Sequence, residues 1–237
     1  MPRTVLVTGG SGALGRAIVE RFAAAGDRVF FTYHRHAAAA CEVAQATGAT
    51  AIEVDLRARA AVEALFARIT EEAGSVEVLV NNAGVTQVLP FALIEEEDWD
   101  LVLDGCLKTM FLVTREAVRG MIADRRGVIV NVGSIAGARV LEVPVHYATA
   151  KAAVSGFTRS LARELARYQV RVNAVVPGML EGGVSGLVPE KQKQEYLRHC
   201  LAGRPGNTAE VAEAVYFLAS DAASYVNAQE LVVDGGL

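Results

Sequence analysis

Apolar residues fall in short, nearly unbroken runs separated by longer stretches of mixed period. The runs are Thr4–Val7, Arg28–Tyr33, Thr50–Val54, Val76–Asn81, Gly127–Val132, Val170–Val176 and Glu230–Val233. Such runs are expected where helices cover both faces of a strand. Helical spacing fills the gaps, at Leu14–Ala25, Ala37–Thr47, Arg59–Glu72, Glu97–Met121, Tyr147–Arg167 and Thr208–Leu218. The alternation predicts an α/β fold: one doubly wound domain over residues 1–237, with a seven-stranded parallel sheet, right-handed crossovers and helices on both faces. No linker, charge block or internal repeat marks a boundary.

Composition narrows the picture. Of 237 residues, 52% are apolar, enough for one large core. No run of eighteen uncharged apolar residues predicts a membrane span. The opening Met1-Pro2-Arg3-Thr4-Val5-Leu6-Val7 enters a strand directly, without the pattern of a signal peptide. A net charge of −4 argues against general nucleic-acid binding. Cys41, Cys106 and Cys200 suit neither a disulfide framework nor a zinc site, so a cytoplasmic home is expected. His34, His36, His146 and His199 lack metal-ligand spacing, and no metal is expected.

The first βα turn, Thr8-Gly9-Gly10-Ser11-Gly12-Ala13-Leu14-Gly15, has four glycines in seven residues. There a backbone can approach a pyrophosphate closely, and a helix N-terminus offers N–H groups. A dinucleotide is the natural ligand. The second strand ends in Phe31-Thr32-Tyr33-His34-Arg35-His36, without the carboxylate that holds a ribose 2′-hydroxyl. Arg35, with His34 or His36, could pair with a 2′-phosphate, which favours NADP(H); the alternative is an exposed basic corner. Asp55, before Leu56, could meet the adenine amino group or cap the next helix. In Asn81-Asn82-Ala83-Gly84 the amides could tie strand ends together while small residues admit a cofactor; an ordinary turn is the alternative. Glu95-Glu96-Glu97-Asp98 reads as the solvated first turn of a helix.

Ser134 precedes Tyr147 by thirteen positions, and Lys151 follows Tyr147 by four. That last spacing puts both side chains on one helical face. An ammonium beside a phenol favours the phenolate, so Tyr147 could exchange a proton with a carbonyl or alcohol oxygen. Ser134 could hydrogen-bond the same oxygen. Taken alone, Tyr147 and Lys151 are equally a surface pair. Pro177-Gly178 turns the chain over the sheet edge. The segment Met179–Cys200 then reads as a substrate lid or a plain surface excursion. Leu141, Val143, Val145 and Leu180 suggest an apolar wall, and His146 reads as a polar residue on the pocket side.

With these motifs in order, the chain resembles the short-chain dehydrogenase/reductase family over its whole length. The matching elements are Gly9–Gly15, Asp55, Asn81-Asn82-Ala83-Gly84, Ser134, Tyr147-x-x-x-Lys151, Pro177-Gly178 and Val233-Asp234-Gly235-Gly236. Within the family it looks most like the 3-oxoacyl-[acyl-carrier-protein] reductases, through Trp99–Lys108, Gly127–Gly137 and Arg171–Gly178. The resemblance implies a Rossmann domain that binds NADP(H) through Gly9, Ser11, Gly12, Ala13, Leu14, Gly15, Arg35, Asp55, Leu56, Asn82, Ala83, Gly84, Tyr147, Lys151, Pro177 and Gly178. It implies Tyr147 as general acid, Lys151 supporting it and holding the nicotinamide ribose, and Ser134 polarising the substrate carbonyl.

Three departures stand out. Ala13 replaces a family glycine, so Gly12 is expected to supply the backbone freedom or the loop to follow another path. Cys106 replaces a family Asn that feeds a water relay to the lysine, and a thiol substitutes poorly for an amide. Gly105 beside it still permits the helix distortion found there in the family. Gly182 stands where a Thr contacts the nicotinamide carboxamide.

The implied reaction is NADPH-dependent reduction of a 3-oxoacyl thioester on an acyl carrier protein, in fatty-acid or polyketide assembly. Arg125 and Arg126 are candidate carrier contacts, or simply solvated cations. The alternatives are a dehydrogenase of alcohols, sugars or steroids, and a catalytically idle NADP-binding protein. The family implies a homotetramer; the apolar Ala148–Phe157 and Val226–Leu237 suit such burial and equally a monomer core.

Overall fold

A computed structural model describes residues 2–182, 186 and 188–237. Seven parallel strands form one sheet: β1 (Thr4–Val7), β2 (Arg28–Tyr33), β3 (Thr50–Glu53), β4 (Val78–Asn81), β5 (Gly127–Val132), β6 (Val170–Pro177) and β7 (Glu230–Val233). Their spatial order is β3-β2-β1-β4-β5-β6-β7. The order reverses between β1 and β4, which opens a crevice at the strands' C-terminal ends. The helices are α1 (Ala13–Ala24), α2 (Ala37–Thr47), α3 (Arg59–Ala73), α4 (Glu96–Leu103), α5 (Thr109–Asp124), α6 (Val145–Leu165), α7 (Glu190–His199) and α8 (Thr208–Ala219). Among the described residues no helix is long and apolar enough to cross a membrane.

Strand alternation builds two cores. Val5, Val7 and Phe31 face α1, α2 and α8, where Ile18, Phe22, Val43 and Val215 pack on them. Leu6, Phe30 and Ile129 face α3, α5 and α6, and meet Leu65, Ile69, Met121 and Leu165. All three residues of Val5-Leu6-Val7 are therefore fully buried, which is why β1 shows no polar alternation.

Two helices depart from the sequence pattern. The stretch expected as one helix, Glu97–Met121, is interrupted by a π-helical turn at Asp104–Lys108 between α4 and α5. Gly105 permits it: a Cβ there would lie 2.2 Å from Val85 Cγ1. At the start of α4, Glu95 and Asp98 form a capping box, the solvated acidic first turn expected of that run. Helix α6 begins at Val145, two residues before the expected Tyr147, because Pro144 takes the N-cap position. Of the expected lid 179–200, residues 183–185 and 187 lie outside the described residues.

A buried polar string fastens the helices to the sheet. Asn81 Nδ2 donates to Asn131 Oδ1 and to Thr114 Oγ1, both at 2.8 Å. Asn131 Nδ2 donates to Thr158 Oγ1 at 2.9 Å. It links β4, β5, α5 and α6, with Thr158 two turns beyond Lys151.

Candidate active site

The glycine turn after β1 is held from two sides. Gly9 N donates to Thr32 Oγ1 and Gly10 N to Thr32 O, at 3.2 and 2.9 Å. Asn82 Nδ2 donates to Thr8 O and Gly9 O at 2.9 and 3.1 Å. Thr8 Oγ1 accepts from the backbone N–H groups of Asn82 and Ala83. Asn82 thus ties the strand ends together. Thr8, which carries no motif signal of its own, does so equally.

The special backbone position is Gly9, at φ +68°. Gly12 caps α1 at φ −76°, a conformation any residue adopts, so Gly12 does not supply the freedom expected of it. Gly15 is required for closeness: a Cβ there would stand 2.1 Å from Gly9 O. Ala13 fits as the first residue of α1, whose opening N–H groups face the turn.

On the opposite wall, Ser134 stands in extended backbone just beyond β5. Its Oγ accepts from Ala136 N at 3.1 Å. That bond occupies a lone pair and leaves the hydroxyl proton available to an acceptor in the cavity. Gly137 lets this turn lie on α6, since a Cβ there would meet the Lys151 and Ala152 backbone at 2.5 Å. Lys151 is 9% exposed and donates from Nζ to Val132 O at 3.0 Å. Its Nζ lies 5.9 Å from the centre of the half-buried Tyr147 ring.

The outer wall is α7. Tyr196 O–H donates to Asp234 O at 3.0 Å and accepts from Met179 N at 3.1 Å. Burial raises the Tyr196 pKa, so its proton stays in place. Gly178 is compulsory beneath it: a Cβ would lie 2.3 Å from Tyr196 Oη. No sequence motif marks Tyr196; the one signal available there is a lone aromatic within the polar Glu190–His199. Gly182 adopts φ +76°, which accounts for glycine there.

All seventeen candidate residues, from Gly9 to Gly178, line one cavity of about 1180 Å³. It is large enough for a dinucleotide together with a substrate. Arg35, His34 and His36 lie at its edge after β2. Asp55 also lines it, but as an ion pair: Arg57 Nε and Nη2 donate to its carboxylate at 2.9 and 2.8 Å. Arg57 thereby holds the Asp55 pKa down to about 2. Asp55 does not cap α3, whose N-cap is Ala58.

Other expected residues lie elsewhere. His146 is fully buried and outside the cavity lining, because it sits on the side of α6 turned from Tyr147's cavity face. Cys106 is buried and clipped to a loop, accepting from Val85 N at 3.4 Å and donating to Val85 O at 3.2 Å. Arg125 and Arg126 precede β5, at the N-terminal ends of the strands, opposite the cavity. Arg125 donates to Arg167 O and Arg126 pairs with Glu77. Within one chain they do not flank the cavity mouth. Among the described residues no cluster of three or more His, Cys, Asp or Glu could hold a metal.

Residues 10–237 match a family model described as Enoyl-(Acyl carrier protein) reductase. The 3-oxoacyl-[acyl-carrier-protein] reductase of Aquifex aeolicus is 40% identical over 237 residues, covering 98% of this chain and 96% of that protein. The protein of the same name in Escherichia coli K12 is 35% identical, covering 99% and 97%. Among solved structures, a Serratia marcescens short-chain dehydrogenase/reductase mutant matches with a TM-score of 0.92 and 32% identity, covering 99% of this chain and 97% of that one. A putative gluconate dehydrogenase of Agrobacterium tumefaciens matches with a TM-score of 0.94 and 32% identity, covering 99% and 95%. A sheet order that reverses beside a glycine turn, a Tyr–Lys pair facing that turn, and full-length likeness to these proteins lead to one conclusion: the chain belongs to the short-chain dehydrogenase/reductase family.

Proposed function

We propose that the protein is an oxidoreductase of the C=O/CH–OH couple, which reduces 3-oxoacyl thioesters on an acyl carrier protein with NADPH, in fatty-acid or polyketide assembly. One observation carries the reading: Ser134, Tyr147 and Lys151 line the same cavity as the glycine turn, across from it, so a carbonyl placed between them meets two hydroxyls and a cofactor site at once. Relatives named for this reaction, matched over their whole length, support it.

The residues present fit a dinucleotide. Gly9 and Gly15 keep clear a cradle that side chains would fill. The start of α1 offers N–H groups to a pyrophosphate, and Arg35 suits a 2′-phosphate. When bound, NADPH supplies the hydride. Ser134 donates to the carbonyl oxygen and polarises it. Tyr147 delivers the phenolic proton to that oxygen as charge develops. Lys151, fixed by Val132 O, holds its ammonium 5.9 Å from the centre of the Tyr147 ring, where its charge attracts the negative charge left once the proton has been delivered. Leu141, Val143, Met179 and Leu180 offer an apolar wall to the acyl chain.

We also read the assembly as a homotetramer, supported by apolar side chains left exposed at Phe111 on α5 and Val232 on β7. Light scattering tests it. For the activity, NADPH oxidation is measured with 3-oxoacyl groups on carrier protein, coenzyme A and N-acetylcysteamine, with 2-enoyl thioesters and simple ketones alongside. Turnover of the 3-oxoacyl thioesters that Tyr147→Phe abolishes, with NADPH binding spared, supports the reading. Turnover of 2-enoyl thioesters or simple ketones alone overturns it, as does activity surviving in Tyr147→Phe.

A further inference from the structure

His146 is a completely buried imidazole beside the proposed acid, and no step above uses it. Helix α6 starts without a conventional cap. Its N-cap residue is Pro144, which offers no side-chain acceptor. The first N–H groups of a helix have no backbone carbonyl within it to accept them and need a side chain or another acceptor. At Tyr147 that acceptor is His146: Tyr147 N donates to His146 Nδ1 at 3.0 Å.

We propose that His146 is a positioning residue, whose Nδ1 caps the first turn of α6 and sets where the Tyr147 phenol stands against Ser134 and Lys151. The inference rests on Tyr147 being the proton donor. An Nδ1 that accepts carries no proton, so the neutral ring holds its proton on Nε2. Nε2 is buried and has no partner among the described residues. An unpaired buried N–H is destabilising. Apolar packing alone therefore gives no reason for an imidazole here, whereas the acceptor does. Burial keeps the ring neutral and so able to accept; Asp98 on α4, held by Gln87 Nε2 at 2.8 Å, opposes this in part.

Lys151 has its own anchor on Val132 O. Losing the cap should therefore displace Tyr147 while sparing the cofactor site. The diagnostic pair is His146→Leu, which keeps apolar bulk, and His146→Asn, whose Oδ1 occupies the branch position of Nδ1. The readouts are kcat, the KM for the 3-oxoacyl thioester, the NADPH Kd and the unfolding midpoint. His146→Leu should lower kcat by about 10- to 100-fold with the NADPH Kd held within about twofold. His146→Asn should restore most of that loss. Equal behaviour of the two variants, whether both active or both impaired, overturns the proposal. An ¹⁵N spectrum of the unsubstituted protein gives a second test that needs no variant to fold. It should show Nδ1 unprotonated and Nε2 protonated, and the reverse tautomer overturns the proposal. If Tyr147→Phe keeps full activity, the proposed function has failed instead, and the tautomer still reports on the cap.

Discussion

Replacing Arg35 with alanine should separate the two nicotinamide cofactors. Arg35 is exposed at the cavity edge, and no hydrogen bond or ion pair engages it among the described residues. A 2′-phosphate there would displace no internal partner. Asp55, a carboxylate in the same cavity, is already paired with Arg57. A charge-assisted guanidinium–phosphate pair contributes about 1.5–3 kcal/mol. Solvent exposure trims this to about 1–2 kcal/mol. The NADPH Kd should rise by about 5- to 30-fold. NADH has no phosphate to lose, and its Kd should stay within about twofold. Fluorescence titration of both cofactors against both proteins reads this directly. At about 0.5 M salt the NADPH effect should shrink, because exposed charges are screened. An equal loss for both cofactors would mean that Arg35 merely shapes the loop after β2. An unchanged NADPH Kd would refute the phosphate contact altogether.

Thr158→Val leaves the Asn131 Nδ2 donor buried without its acceptor, at a cost of about 1–3 kcal/mol. Calorimetry should show the melting point down by roughly 2–10 °C, and an unchanged midpoint would sink the supporting role given to this string. Gly15→Ala forces a Cβ against Gly9 O, a backbone atom that cannot swing away. NADPH affinity should drop more than about tenfold with circular dichroism unaltered; native affinity would contradict the tight-turn account. The His146 pKa is lowered in the fold below its ordinary 6.5, by burial against the opposing pull of Asp98. The unfolded chain therefore takes the proton first. Stability is full above about pH 6.5 and declines as pH falls toward the folded value. In urea titrations His146→Asn should lack that decline, and identical pH slopes in the two proteins would count against it.

Much of this architecture was legible in the chain because buried parallel strands leave unbroken apolar runs. Gly127–Val132 and Glu230–Val233 coincide with β5 and β7, and Ala37–Thr47 with α2. The glycine turn and the Ser134, Tyr147 and Lys151 spacings likewise reach one cavity. What escaped the pattern was decided by contacts between distant segments. His146 reads as a pocket residue when only its neighbour Tyr147 is considered; the rotation of α6 buries it. The carboxylate of Asp55 is taken up by Arg57, two positions on, through a bend that periodicity does not encode. Gly12 looks indispensable in a glycine motif, yet the left-handed backbone falls at Gly9. Tyr196 acquires its role only once α7 folds back over Gly178 and Asp234.

The Thr8 hydroxyl bears on how the chain comes together in time. It bridges to backbone 74 and 75 residues further along. The glycine turn is local in sequence but is held on one side by a segment that must arrive from far away. Closing so long a loop is entropically slow, so the turn should be among the later parts to become ordered. During synthesis, the first βα unit would have its glycines held only from the β2 side, by Thr32, until β4 has been made and has paired with β1. Competence to bind a dinucleotide would then appear as a step, when strands one and four meet, rather than grow with each helix added.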